Sequence, residues 1–149
     1  MLIVNKEIAR VIRGHGARDY PNETCGAMLG LDRAEGREVR MLFPLTNRRD
    51  DSPRNRFSIT AEDFRAAERA AKDQGLELVG WYHSHPDHPA KPSEYDREHA
   101  WPWYSYVIVS VAGGEPRDMT SWLLSDDRSH FEPEEIASLM SAPPGTAHR

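Results

Sequence analysis

The sequence lacks the features that mark several common protein classes. Cys25 is its one cysteine in 149 residues. A single thiol excludes an internal disulfide and any thiolate cage for zinc, which takes several cysteines. No run approaches the ~20 apolar residues of a bilayer-crossing helix, so no membrane partner is expected. Positive charge is in deficit: 19 Lys and Arg stand against 24 Asp and Glu, a net charge of −5. Duplex nucleic acid is bound largely through clustered cations, so nucleic acid is not an expected partner either. Residues Met1 to Glu7 have no basic run ahead of a long apolar stretch, so no secretory signal is expected. Without export, the sequon Asn22-Glu23-Thr24 has no use. These absences place the protein in a reducing cytoplasm. There is no internal repeat, low-complexity tract or evident linker.

With 38% hydrophobic and 29% charged residues, the composition is that of an ordinary globular chain. The length fits one domain, read here as residues 1–141 with a flexible tail at 142–149. Ile8, Val11 and Ile12 fall at helical spacing and predict an amphipathic helix over 5–18, ending near Gly14-His15-Gly16 or a turn later at Tyr20-Pro21. Residues 24–31 read as a buried strand, Arg33 to Gly36 as a hairpin turn, and 37–43 as its partner strand. The polar stretch 46–56 reads as a surface loop, followed by a short strand Phe57-Ser58-Ile59. Thr60 should cap a helix over 61–74 that Gly75 ends. Leu76 to His85 is the most strand-like run. Pro86 to Pro92 is too proline-rich to be regular, and Ser93 to Ala100 suits a short helix. Strands follow at 104–111 and 117–124 around a Gly113-Gly114 turn, and Pro133 is expected to open a last helix reaching about residue 141. Interleaved strands and helices make an α/β sheet covered by helices the expected architecture.

Chemistry concentrates in His83-Ser84-His85-Pro86-Asp87-His88-Pro89-Ala90-Lys91-Pro92-Ser93-Glu94-Tyr95-Asp96. Side chains two apart leave a strand on one face, so His83 and His85 can reach one point. Ser93 and Asp96 are three apart, neighbours on a helix. The proline-rich connector can turn that helix back over the strand end. Two imidazoles and a carboxylate suit zinc with a fourth position open for water. Ser93-Glu94-Tyr95-Asp96 also reads as a capping box, so Ser93 has a structural use as well.

The skeleton His-x-His, seven residues, Ser, two residues, Asp resembles the JAMM motif of the MPN-domain metalloproteases. Upstream, Glu23-Thr24-Cys25-Gly26-Ala27-Met28-Leu29-Gly30 resembles the family's glutamate followed by a glycine-containing strand. Leu78-Val79-Gly80-Trp81-Tyr82 is similar to the strand that leads into its histidines. The likeness runs from the first helix to about residue 125, with every motif position present. It implies a three-layer α/β/α sandwich with a mixed central sheet, the JAB/MPN fold, which is cytidine-deaminase-like. It implies one Zn2+ per chain on His83, His85 and Asp96, with Glu23 moving the proton of the attacking water. It gives Ser93 the oxyanion of the intermediate. It also implies hydrolysis of a peptide or isopeptide bond after the C-terminal glycine of a ubiquitin-like or sulfur-carrier protein. The short segment after Asp96 resembles small bacterial members, whose substrates include sulfur-carrier adducts that release an amino acid such as cysteine.

Other readings compete. A non-catalytic MPN scaffold usually lacks some ligands, and this chain has them all. A zinc hydrolase of a small-molecule amide remains open, but a deaminase needs Pro-Cys-x-x-Cys, which one cysteine cannot supply. Cys25 reads as a packed thiol, and His88, His99 and His130 as surface residues. Arg48, Arg49, Arg54 and Arg56 could grip a substrate carboxylate, or simply solvate their loop. Oligomeric state, substrate identity and the meaning of Trp101 and Trp103 are not written in the sequence.

Overall fold

The computed structural model describes residues 1–45 and 59–139. The loop at 46–56, Phe57 and Ser58, and the tail at 142–149 lie outside the described residues. β1 (Leu2–Asn5) runs straight into α1 (Lys6–Asp19), with Asn5 as N-cap accepting from the Ile8 amide at 2.8 Å. The helix passes through both candidate glycine stops. Gly16 lies where helix meets sheet, and a Cβ there would stand 2.9 Å from Val111 Cγ2. β2 (Cys25–Arg33) and β3 (Gly36–Leu45) form the expected hairpin. Thr60 caps α2 (Ala61–Asp73) in a capping box with Asp63, and Gly75 stands just past its end at φ +68°. Then come β4 (Glu77–Pro86), α3 (Glu94–His99), β5 (Ser105–Ala112) and β6 (Glu115–Leu124).

Among the described residues, the expected last helix does not form. Residues Phe131–Glu134 make β7 beside β6, and Ile136–Leu139 make β8, parallel to β1. Pro133-Glu134-Glu135 looks locally like a helix start, but pairing decides the outcome. The Leu2 amide donates to the Glu135 carbonyl at 2.9 Å, and Pro133 sits on an end strand, where a missing N–H costs nothing. Nothing in the sequence pattern marks β1 either. Ile59, the one described residue of the expected 57–59 strand, is not in a strand; it packs against the core on the α2 side.

The sheet runs β7-β6-β5-β4-β2-β3-β1-β8, with β4–β5, β1–β3 and β1–β8 parallel and the other pairs antiparallel. Glu135 alone separates β7 at one end of this order from β8 at the other, so the sheet curls until its two ends nearly meet. α1 packs on one face, and α2 with α3 takes the other, giving the α/β/α layering. Ile12, Val79, Tyr82 and Val109 fill the α1 side, while Ala67, Ala71, Leu78 and Trp81 fill the α2 side. Each large apolar side chain buried this way stabilises by roughly 1.5–3 kcal/mol.

One irregularity matters for function. The β2–β4 register passes from Met28↔Gly80 to Leu29↔Leu78, leaving Val79 as an extra residue on β4. Strict alternation from Leu78 would put Trp81 on the α1 face. The bulge resets the phase, so Leu78 and Trp81 share the α2 side while Val79 and Tyr82 share the other. His83 and His85 then follow Trp81. Among the described residues, no helix is long and apolar enough to cross a membrane.

Candidate metal centre

β4 lies between β2 and β5, so side chains at its C-terminal end are buried by neighbours on both sides. His83 is 2% exposed and His85 8%. The chain then turns through Asp87 to Pro92 and returns as α3, whose N-cap is Ser93. The capping box is complete: the Asp96 amide donates to Ser93 Oγ at 3.0 Å, and the Ser93 amide donates to Asp96 Oδ2 at 2.8 Å. That box aims the Asp96 carboxylate at the histidines. Ser93 and Asp96 therefore cap each other whatever else they do.

His83 Nε2, His85 Nε2 and Asp96 Oδ2 form a triangle with sides of 3.1, 3.1 and 3.4 Å. Ligand atoms held ~2.0–2.1 Å from a tetrahedral zinc lie about 3.3 Å apart, so this triangle has the size of one face of that tetrahedron. The protonation pattern fits as well. His85 Nδ1 lies 2.9 Å from the Pro89 carbonyl, which can only accept, so Nδ1 carries a hydrogen. A neutral His85 then turns the Nε2 lone pair toward a carboxylate oxygen. Burial lowers the His83 pKa and favours the neutral ring, against the pull of Asp96. Burial tends to raise the Asp96 carboxyl, but His83, His85 and the Ser93 amide outweigh it and hold the group well below the usual carboxylate range. Buried lone pairs converging at this distance are stabilised by a shared cation. His83, His85 and Asp96 are the group among the described residues that could hold a metal ion.

Beside the triangle opens a cavity of about 270 Å3 lined by Glu23, His85, His88, Pro89, Lys91 and Ser93. Glu23, 5% exposed, immediately precedes the buried residues that open β2. Thr24, the residue after Glu23, is held by Ser84, the residue between the two histidines, which sequence reasoning passed over. The Thr24 amide donates to Ser84 Oγ at 2.8 Å, and the Ser84 amide donates to the Thr24 carbonyl at 3.1 Å. This clasp ties the start of β2 to the strand that carries both histidines. The one available signal was a polar residue between two candidate ligands on a central strand.

Cys25 is buried, and its thiol is pushed up to about 12 by burial first and then by Asp63, Glu23 and Asp19. His88 is exposed and outside the ligand triangle. His99 stacks on Tyr95, and His130 faces Glu132 at the surface. Trp101 packs edge-on against Phe64, and Arg37 lies over the Trp103 ring at 4.0 Å, while both indoles stay exposed. The arginines of 46–56 lie outside the described residues.

A mixed sheet with helices on both faces, a His-x-His strand end and a Ser-x-x-Asp helix start define a JAB/MPN-type domain. Residues 5–125 match the family described as prokaryotic homologs of the JAB domain, and the chain belongs to that family. A desampylase from Haloferax volcanii is 36% identical over 102 residues, covering 68% of this chain and 71% of its own. A CysO-cysteine peptidase from Mycobacterium tuberculosis is 27% identical over 137 residues, 91% of each chain. Among solved structures, a protein from Salinibacter ruber is 48% identical, with a TM-score of 0.73 over 91% of this chain and 90% of its own. A JAB1/MPN domain protein from Archaeoglobus fulgidus shares the fold at 15% identity, with a TM-score of 0.59 over 93% of this chain and 97% of its own.

Proposed function

We propose that this chain is a zinc-dependent peptidase that hydrolyses a peptide or isopeptide bond after the C-terminal glycine of a ubiquitin-like or sulfur-carrier protein. The observation that carries the reading is the ligand triangle opening on a cavity that Glu23 and Ser93 also line. The relatives, a desampylase and a CysO-cysteine peptidase, support the substrate class.

His83, His85 and Asp96 would hold the zinc, which when bound lowers the pKa of a water toward ~7. Glu23 takes a proton from the attacking water and returns it to the departing amine. Its burial in the cavity wall keeps bulk water from competing for that proton. Ser93 Oγ already accepts from the Asp96 amide, so its own hydrogen is available for the oxygen of the attacked carbonyl. Amide hydrolysis needs a nucleophile, stabilisation of the oxyanion and a protonated leaving group, and these side chains divide that work.

The test is Glu23→Gln on the zinc-loaded protein. Turnover of a Gly-Gly-linked substrate should fall by roughly 10²–10⁴ while one zinc per chain remains. A variant that loses its zinc makes Glu23 a ligand, and one that keeps full turnover removes it from the chemistry.

A further inference from the structure

The loop between the histidines and α3 is fixed along its length. Asp87 adopts φ 59°, its amide donates to the Val111 carbonyl at 2.7 Å, and its carboxylate accepts from the Gly113 amide and the Tyr20 hydroxyl at 2.9 and 2.7 Å. The next three carbonyls are each held by a different side chain: His88 O by Ser110 Oγ at 2.6 Å, Pro89 O by His85 Nδ1 at 2.9 Å, and Ala90 O by Thr120 Oγ1 at 2.6 Å. A loop held this way gives the next residue, Lys91, a defined point of departure.

Lys91 stands at a junction. It lines the cavity beside Glu23, and with Pro89 it also lines a second recess of about 520 Å3 between the loop and β6. Met119, Trp122, Pro133 and Ile136 give that recess its apolar wall. Asp118 and Glu134 reach it too, but Glu134 accepts from Ser121 Oγ at 2.8 Å and lies 3.5 Å from the Met1 amine. Lys91 is exposed, and among the described residues no carboxylate lies within ion-pair distance of its ammonium.

We propose that Lys91 is a specificity-determining residue that pairs with the α-carboxylate of an amino-acid leaving group whose side chain lies against Met119 and Trp122. The inference rests on the hydrolase reading above. A recess of this size takes one or two residues and not a folded carrier protein. Two glycines offer no side chain to an apolar wall, so the Gly-Gly tail has no use for it; the residue beyond the scissile bond does. Asp118 on the same wall opposes a second acid, so a neutral or basic leaving residue is preferred to Asp or Glu.

The probes are short peptides ending in Gly-Gly-Ala, made as the free acid and as the C-terminal carboxamide, with the zinc-loaded enzyme. The wild type should favour the acid in kcat/KM by about fivefold, as expected for a partly exposed charge pair. That ratio should shrink as salt is raised. Lys91→Ala should bring the ratio to about one, and Lys91→Arg should keep most of it. Binding of the two peptides to the zinc-loaded Glu23→Gln variant should show the same ratio. A ratio unchanged in Lys91→Ala overturns the proposal, as does equal slowing on both peptides, which would place Lys91 at the carbonyl oxygen. If the wild type cleaves neither peptide while still cleaving a Gly-Gly-linked carrier protein, the recess does not read the leaving residue and this inference alone falls; if it cleaves none of them, the hydrolase reading falls with it.

Discussion

The two faces of β4 carry similar chemistry and come to different ends. On the α1 face, Tyr82 and Ser84 are polar at their tips and wholly buried. Each tip is satisfied by the chain: Tyr82 hydroxyl lies 2.8 Å from His15 Nδ1, and Ser84 Oγ accepts from Thr24. α1 closes over this face to its end, so near that a Cβ on Gly16 would stand 3.4 Å from Ser84 Cβ. On the other face, α2 covers the strand only as far as Trp81, where Phe64 packs with ring centroids 5.7 Å apart. α3 begins only at Glu94. There His83 and His85 meet each other and Asp96 beside a cavity. The strand's polarity does not distinguish its faces. Coverage does: polar atoms under a full helix are absorbed into the scaffold, and those under a gap converge on a site.

The sharpest way to break this contrast is Asp96→Asn. The amide oxygen of the new side chain would still accept from the Ser93 amide, so α3 keeps its cap, but the ligand charge is gone. Zinc affinity should fall by at least ~100-fold, measured by competition with a chelator, with little change in helix content. Wild-type zinc affinity in this variant would make Asp96 a helix cap and nothing more. On the opposite face, Ser84→Ala should behave in the reverse sense. It orphans the buried Thr24 amide and should cost about 1–3 kcal/mol in a denaturant titration. One zinc per chain should remain, while turnover drops because Glu23 loses its clasp. Loss of zinc at an unchanged unfolding midpoint would mean the two faces cannot be separated.

The same contrast explains what the sequence disclosed. The candidate ligand group was legible because every element of it is local: two residues apart on a strand, three apart in a capping box, joined by a proline-rich connector. α1 was legible through Ile8, Val11 and Ile12 at helical spacing, and α2 through Thr60 and Gly75, signals that act within one turn of the helix they bound. What escaped depends on distant partners. Residues 131–134 and 136–139 are strands because β6 and β1 await them, and Pro-Glu-Glu carries no trace of that. The bulge at Val79 is set by β2, so alternation along β4 alone assigns its faces wrongly. Ser84 matters through Thr24, sixty positions earlier. The candidate site was thus readable in its reactive groups and hidden in the contacts that aim them.

The smallest expected effect concerns Cys25, which stands opposite His83 in the ladder yet belongs to the packed scaffold. Burial, and then the charges of Asp63, Glu23 and Asp19, push its thiol from 9.0 up to about 12. A folded-state pKa above the unfolded one means the native protein holds its proton where the unfolded chain has released it. The associated stability is therefore complete below pH 9.0 and is lost as pH rises from 9.0 toward about 12. Against Cys25→Ala, the wild type should hold a constant difference in urea midpoint at neutral pH and lose about 1.4 kcal/mol of it by pH 10. In the folded protein the thiol should also resist iodoacetamide at pH 8 and react once urea unfolds the chain. Rapid alkylation of the native protein would mean that the thiol is open to the cavity, and the boundary drawn here between scaffold and site would have to move to include it.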